Sequence, residues 1–255
     1  MNHRKVPVSK LQDGEVSISS DDLAVESIVY LYFNEQKIAT LLASPNDCED
    51  LLIGHLLSEG YIERSQAKIC ATDVRLDSSK DGIKVQVDSS YSLLTQPKIT
   101  GITTTSCGAC NTDGLDTLIA DLPIVKGNFE FDESILHLGL EQMRPLQDGF
   151  SKTGGMHSAG ILNFTGELKY LSEDIGRHNA VDKVIGKSIV DATINDSVLL
   201  LSGRCGWDIV AKAARANISV IASIGACSTL AADCARQLGI TIYSFVKQNS
   251  ATIIG

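Results

Sequence analysis

The sequence predicts an α/β protein in which a small α+β unit precedes a larger three-layer α/β/α domain. Two observations carry this reading. Late in the chain, three short and mainly apolar runs, "SVLLLSG" (197–203), "ISVIASIG" (218–225) and "ITIYSFV" (240–246), alternate with amphipathic stretches. Apolar runs of that length read as strands covered on both faces, and their alternation with helices reads as parallel strands joined by crossovers. The first part of the chain instead carries strand-like runs around a single strong helical pattern.

In order, "SIVYLYF" (27–33) and "IATLLA" (38–43) predict two strands joined around Asn34, Glu35 and Gln36. A helix follows, with Asp47 as N-cap, Asp50 three residues on, and Leu51, Leu52, Leu56 and Leu57 on its apolar face. Gly60 is placed to end it in the left-handed conformation. Strands are expected near 68–76 and at "IKVQVD" (83–88). Helical stretches follow at 114–122 and 132–144, the second stopped before Pro145. "HSAGILNF" and "LKYLSE" form a hairpin around Thr165 and Gly166. "RHNAVDKVIGKSIV", "GWDIVAKAARAN" and "CSTLAADCARQLG" are helices between the apolar strands, giving the order β-β-α-β-α-β-α-β. The expected division is 1–97, a linking loop at 98–114, and 115–255.

A net charge of −9 disfavours non-specific nucleic-acid binding, which depends on Lys and Arg neutralising phosphates. No apolar run approaches the roughly 20 residues that cross a bilayer, and the amino terminus lacks the apolar core of a signal peptide. A cytoplasmic protein without membrane or nucleic-acid partners is the expectation. Seven irregularly spaced cysteines then read as thiols and not as a disulfide framework.

The loop "KITGITTTSCGACNTDG" (98–114) has little to bury and reads as mobile, with a reach on the order of 50 Å at about 3.3 Å per residue. It carries Cys107 and Cys110. A structural zinc site would need a second Cys pair, and a thioredoxin-type pair would need a helix N-terminus at its first cysteine. An inert pair would invite oxidation. A carrier thiol that visits two partners fits the loop best. No metal ligand set is evident: the five histidines are scattered, and His55 reads as a satisfied structural residue. Cys48, Cys70 and Cys205 read as core, as do Cys227 and Cys234, seven apart on one helix.

Three strand-to-helix turns form a candidate pocket. In "SEDIGRHNAVDK" (172–183), Arg177, His178 and Asn179 open a helix after Gly176; "SGRCGW" (202–207) repeats the arrangement with Arg204; "ASIGACST" adds Ser223, Gly225, Ser228 and Thr229. Such turns collect ligands in α/β sheets, helix N-termini favour anions, and arginine grips phosphate with two parallel bonds. The bland alternative is capped helices with solvated charges.

Taken with "LLIGHLLSEGYI" (51–62), "SCGAC" (106–110), "EDIGRHNAVDKVIG" (173–186), "LLLSGR" (199–204) and "CSTLAADCARQLGITIYSFVK" (227–247), the chain resembles the FdhD/NarQ family of formate dehydrogenase accessory sulfurtransferases. It departs from the family pattern at Asn111, at Gly206-Trp207-Asp208 and at Lys247. The resemblance implies a cytidine-deaminase-like fold for the second domain. It also implies a sulfur carrier that takes persulfide sulfur from a cysteine desulfurase. That sulfur would pass to the bis-guanine-dinucleotide molybdenum cofactor, for formate dehydrogenase apoenzyme. By the same resemblance Cys107 bears the persulfide, Cys110 assists, and Phe245, Val246, Lys247, Gln248, Asn249 and Ser250 bind the cofactor beside Arg177, His178 and Arg204. GDP or GMP would bind as a fragment, and a homodimer is expected. A zinc deaminase and a non-catalytic cofactor chaperone remain the rival classes. The first would need an H-x-E pattern, which the sequence lacks.

Overall fold

A computed structural model describes residues 2–97, 119–125, 131–189 and 197–255. The Cys107–Cys110 loop and most of the helix expected at 114–122 lie outside the described residues.

The chain opens with a hairpin that the hydrophobic pattern did not announce, β1 (His3–Gln12) paired with β2 (Glu15–Ala24). Its turn, Asp13-Gly14, has positive φ at both residues, the twist that fits a two-residue hairpin. Leu11, Val16 and Ile18 are exposed, so the pair has no buried face to reveal it by alternation.

A second sheet has the order β4-β3-β6-β5, made by β3 (Ser27–Phe33), β4 (Gln36–Ala43), β5 (Val74–Ser79) and β6 (Gly82–Val87). The β3–β4 turn places Asn34 and Glu35 at positive φ. Helix α1 (Cys48–Ser58) starts where expected, but Asp47 sits at φ 50° and its side chain does not cap. That carboxylate is drawn off by the ammonium of Lys187, 3.0 Å away. Gly60 does take the left-handed conformation. The strand expected near 68–76 is corrected to helix α2 (Arg64–Cys70) followed by β5. A capping box between Glu63 and Gln66 starts that helix and overrides the β-like composition.

Helix α3 (Ser134–Met143) ends in a 3-10 turn holding Pro145, and a short helix α4 (Asp148–Thr153) follows. Then come β7 (His157–Asn163), β8 (Leu168–Asp174), α5 (Arg177–Ser188) and β9 (Ser197–Leu201). Helix α6 (Trp207–Arg215), β10 (Val220–Ser223), α7 (Thr229–Leu238) and β11 (Thr241–Lys247) complete the expected alternation. One further strand, β12 (Ser250–Ile254), folds back antiparallel on β11, beyond the last strand that the sequence predicts.

These strands form one sheet of order β8-β7-β9-β10-β11-β12. Strands β9, β10 and β11 are parallel, and β7 is antiparallel to both β8 and β9, so β8 through β11, apart from β7, share one direction. Leu199, Leu201, Ile221 and Ile242 face a cluster containing residues of α5, α6 and α7. Val198, Leu200, Val220, Ala222 and Tyr243 face α3 through Ile135, Leu136, Leu140 and Met143. Burial on both faces explains why the strands read as unbroken apolar runs.

The two sheets share one core through α1, which crosses α5 with Gly54 and Gly186 at the contact. A Cβ on either glycine would run into the backbone of the other helix. Behind the crossing, Lys212 of α6 donates to Asp182 at 2.8 Å and to Glu59 at 2.6 Å, while Ser58 and His55 bond the same aspartate. Burial alone would raise the Asp182 carboxyl, but Lys212 and His55 hold it well below the usual range. His55 is thus a satisfied structural histidine.

Candidate functional site

The shared strand direction brings the ends of β8, β9, β10 and β11 to one edge of the sheet, where α5, α6 and α7 begin. The sequence from Asp174 to Lys183 builds the first wall. Asp174 is fully buried, and it accepts from the backbone N–H of Ser44 and Gly176, from Asn179 Nδ2, and from Lys183 Nζ at 2.6 Å. Lys183 is also fully buried and donates to the Ser44 carbonyl. Glu173 turns the other way and accepts from the N–H groups of Gly149 and Phe150, which starts α4. These residues fix the turn and leave Arg177 and His178, both half-buried, on its outer side.

Gly176 and Gly206 stand at the N-caps of α5 and α6, and neither helix receives a side-chain cap. Their first-turn N–H groups are left for water or a ligand. His178 Nε2 pairs closely with Asp208 Oδ2, which joins the starts of the two helices. Burial holds the His178 imidazole below its usual range, with Arg177 and Lys212 pushing the same way and Asp208 opposing.

Arg204 is exposed, and neither it nor Arg177 has an ion-pair partner among the described residues. A third member of the cluster, His157, was missed because its chain position is remote. It opens β7 opposite Asp174, and a Cβ on Gly203 would lie 3.2 Å from its Nδ1. Burial lowers its pKa, and the charges of Arg177 and Arg204 lower it further, as expected for an imidazole beside two guanidinium groups.

The third turn contributes shape more than free donors. The hydroxyl of Ser223 bonds the Gly203 carbonyl and receives the Gly225 N–H, and Ser228 caps α7 by accepting from Ala231. A Cβ at Gly225 would lie 2.9 Å from the Gly203 oxygen, so this glycine lets the second and third turns stack. The Phe245 N–H donates to the Gly225 carbonyl, which brings the end of β11 onto the same edge. Phe245 is exposed at φ 52°, a costly conformation for an aromatic residue, beside a bulge in the β11–β12 pairing. Lys247, Gln248, Asn249 and Ser250 are exposed around the hairpin turn. Val246 points instead into the cluster under α3 and presents little surface to a ligand.

The cysteine readings need one correction. Cys48, Cys70 and Cys234 are buried as expected, but Cys227 precedes α7, is half-buried, and does not share a helical face with Cys234. It stands opposite Cys205 in an isolated parallel bridge between the second and third turns.

The FdhD/NarQ family model matches residues 24–254. The chain belongs to the FdhD/NarQ family. It is 31% identical over 255 residues to the sulfur carrier protein FdhD of Sulfolobus acidocaldarius, covering 99% of this chain and 96% of that one. The protein of the same name from Picrophilus torridus is 37% identical over 242 residues, covering 92% and 90%. That from Streptomyces coelicolor is 33% identical over 262 residues, covering 96% and 91%. A crystal structure named for a formate dehydrogenase accessory role, from Desulfotalea psychrophila, superposes with a TM-score of 0.78 at 21% identity over 99% of this chain and 96% of that one. At that identity the likeness speaks for the fold. The membership places the chain in a sulfur-carrier family linked to formate dehydrogenase. No helix among the described residues is long and apolar enough to cross a membrane.

Proposed function

We propose that this FdhD/NarQ chain accepts persulfide sulfur on Cys107 from a cysteine desulfurase. It then transfers the sulfur to a molybdenum cofactor bearing two guanine dinucleotides, for use by formate dehydrogenase apoenzyme. Cys110 assists release, and a second copy completes a homodimer. The observation that carries the acceptor half is the meeting of Arg177, Arg204 and His157 beside two helix N-termini without side-chain caps. Such an edge fits the phosphates of a guanine dinucleotide. Phe245, Lys247, Gln248, Asn249 and Ser250 would take the base and ribose, a reading supported by the Phe245 N–H bond to Gly225 that brings the end of β11 onto this edge, and His178, held by Asp208, would join the phosphate side. A cytidine-deaminase-like fold for residues 115–255 belongs to the same reading, supported by the sheet flanked by α3 on one face and α5, α6 and α7 on the other.

Cys107 supplies a nucleophile whose persulfide keeps the transferable sulfur outermost, and transfer returns the thiolate. Calorimetry with GDP tests the acceptor site. Arg177→Ala and Arg204→Ala should each weaken binding about ten- to a hundredfold, the cost of a charged hydrogen bond of about 1.5–3 kcal/mol. Unchanged affinity in both would move the site elsewhere.

A further inference from the structure

Two thiols that the carrier role does not use face each other at the sheet edge. Cys205 ends the turn after β9, and Cys227 ends the turn after β10. Their backbones pair as neighbouring parallel strands do, with the Cys205 N–H on the Ala226 carbonyl at 2.9 Å and the Ser228 N–H on the Cys205 carbonyl at 3.1 Å. Adjacent strands lie about 4.8 Å apart, within the Cα separation of about 4.4–6.8 Å that a disulfide spans. Residues directly opposite in a parallel pairing project to the same side of the sheet, so the two side chains share a side, with Cys227 Sγ donating to the Ser228 carbonyl at 3.3 Å and Cys205 Sγ lying 3.9 Å from the Gly206 carbonyl.

The two environments differ. Cys205 is buried at 1% exposure, whereas Cys227 is half-buried and lies just before the N-terminus of α7. The neighbouring Cys205 thiol holds the Cys227 thiol below its usual range, while Cys227 and burial push Cys205 well above. The half-buried Cys227 is the thiol a persulfide can reach, and the buried Cys205 stands behind it.

The geometry points to Cys205 and Cys227 as a second, dithiol site that takes sulfane sulfur from a persulfide and releases it as sulfide. It depends on the carrier reading only for the source of sulfur in the cell. The Cys227 thiolate attacks the outer sulfur of a persulfide R–S–SH. The S–S bond breaks, R–S⁻ departs, and Cys227 carries the persulfide. The Cys205 sulfur then attacks Cys227 Sγ, the bond to the outer sulfur breaks, and hydrosulfide leaves with the Cys205 proton as hydrogen sulfide. The sulfane sulfur gains two electrons, and the two cysteines lose two in forming their disulfide. Two equivalents of a small thiol reopen it.

The test uses the full chain with Cys107→Ala and Cys110→Ala, so that failure of the carrier reading does not decide it. Reduced protein is mixed with cysteine persulfide, and sulfide release and non-reduced peptides are followed. The expected result is sulfide equal in amount to protein, together with a Cys205–Cys227 linked peptide. Cys227→Ser should fall to the rate of free persulfide decomposition. Cys205→Ser should accumulate one extra sulfur atom on the Cys227 peptide without release. Sulfide release untouched by either substitution, or no linked peptide in the parent, would overturn the inference. Should the dithiol fail while Cys107 in the otherwise native chain still loads sulfur from a desulfurase, the carrier reading stands alone.

Discussion

Lys183 Nζ lies 2.6 Å from Asp174 Oδ2, and both side chains are fully buried. This pair explains the motif "EDIGRHNAVDK" as two interleaved sets. Asp174, Asn179 and Lys183 point inward and lock β8, α5 and the end of β4 together, while Asp182 ties α5 to α1 and to Lys212 of α6. Arg177 lies half-buried at the helix start, and His178 turns to Asp208 at the start of α6.

Replacing Lys183 by Met should therefore unfold the turn and not merely trim it. Breaking a buried pair by removing one partner leaves an unpaired charge and costs about 3–5 kcal/mol. Urea denaturation of Lys183→Met should show a loss of that order. A loss below about 1 kcal/mol, the worth of an exposed pair, would mean that Asp174 does not depend on Lys183.

Gly225 should tolerate no side chain, since a Cβ there meets the Gly203 oxygen at 2.9 Å. Gly225→Ala should part the second and third turns, costing about 1–3 kcal/mol and weakening GDP, while Gly154→Ala, with open space around its Cβ, reports only the conformational cost. Equal GDP affinity in both variants would show that turn stacking does not shape the site.

His157 gives the nucleotide site a pH dependence with a defined sign. Its pKa is lowered by burial and then by Arg177 and Arg204, so the unliganded ring is neutral at neutral pH. A phosphate seated among the three groups offsets the arginine charges and favours the protonated ring. GDP affinity should rise as pH falls below neutrality, with proton uptake on binding. Calorimetry in buffers of different ionisation enthalpy reads that uptake directly, and His157→Ala should abolish it. The folded protein's own linkage has the opposite sense. A base with a depressed folded pKa contributes stability above its unfolded value, and that contribution is lost as pH falls through the unfolded value towards the folded one.

Much of the six-stranded sheet was legible because strands buried on both faces announce themselves as apolar runs. Arg177 and Arg204 were legible because a turn after such a strand is a local feature. The β1–β2 hairpin was not, since its apolar residues face outward, and neither was α2, whose capping box outweighs its β-like composition. His157 and the Cys205–Cys227 pair share a different cause. Each depends on two segments far apart in sequence being laid side by side by sheet order, which spacing along the chain does not encode.

The central claim is that Cys107 carries the transferable sulfur. Peptide-level mass spectrometry of the full chain, after incubation with a cysteine desulfurase and cysteine, tests it most directly. The account predicts a reductant-labile gain of one sulfur atom on the Cys107 peptide, absent in Cys107→Ala, while that variant still binds GDP. An unmodified Cys107 peptide in the native chain, with sulfur loaded equally well onto the Cys107→Ala variant, would contradict it.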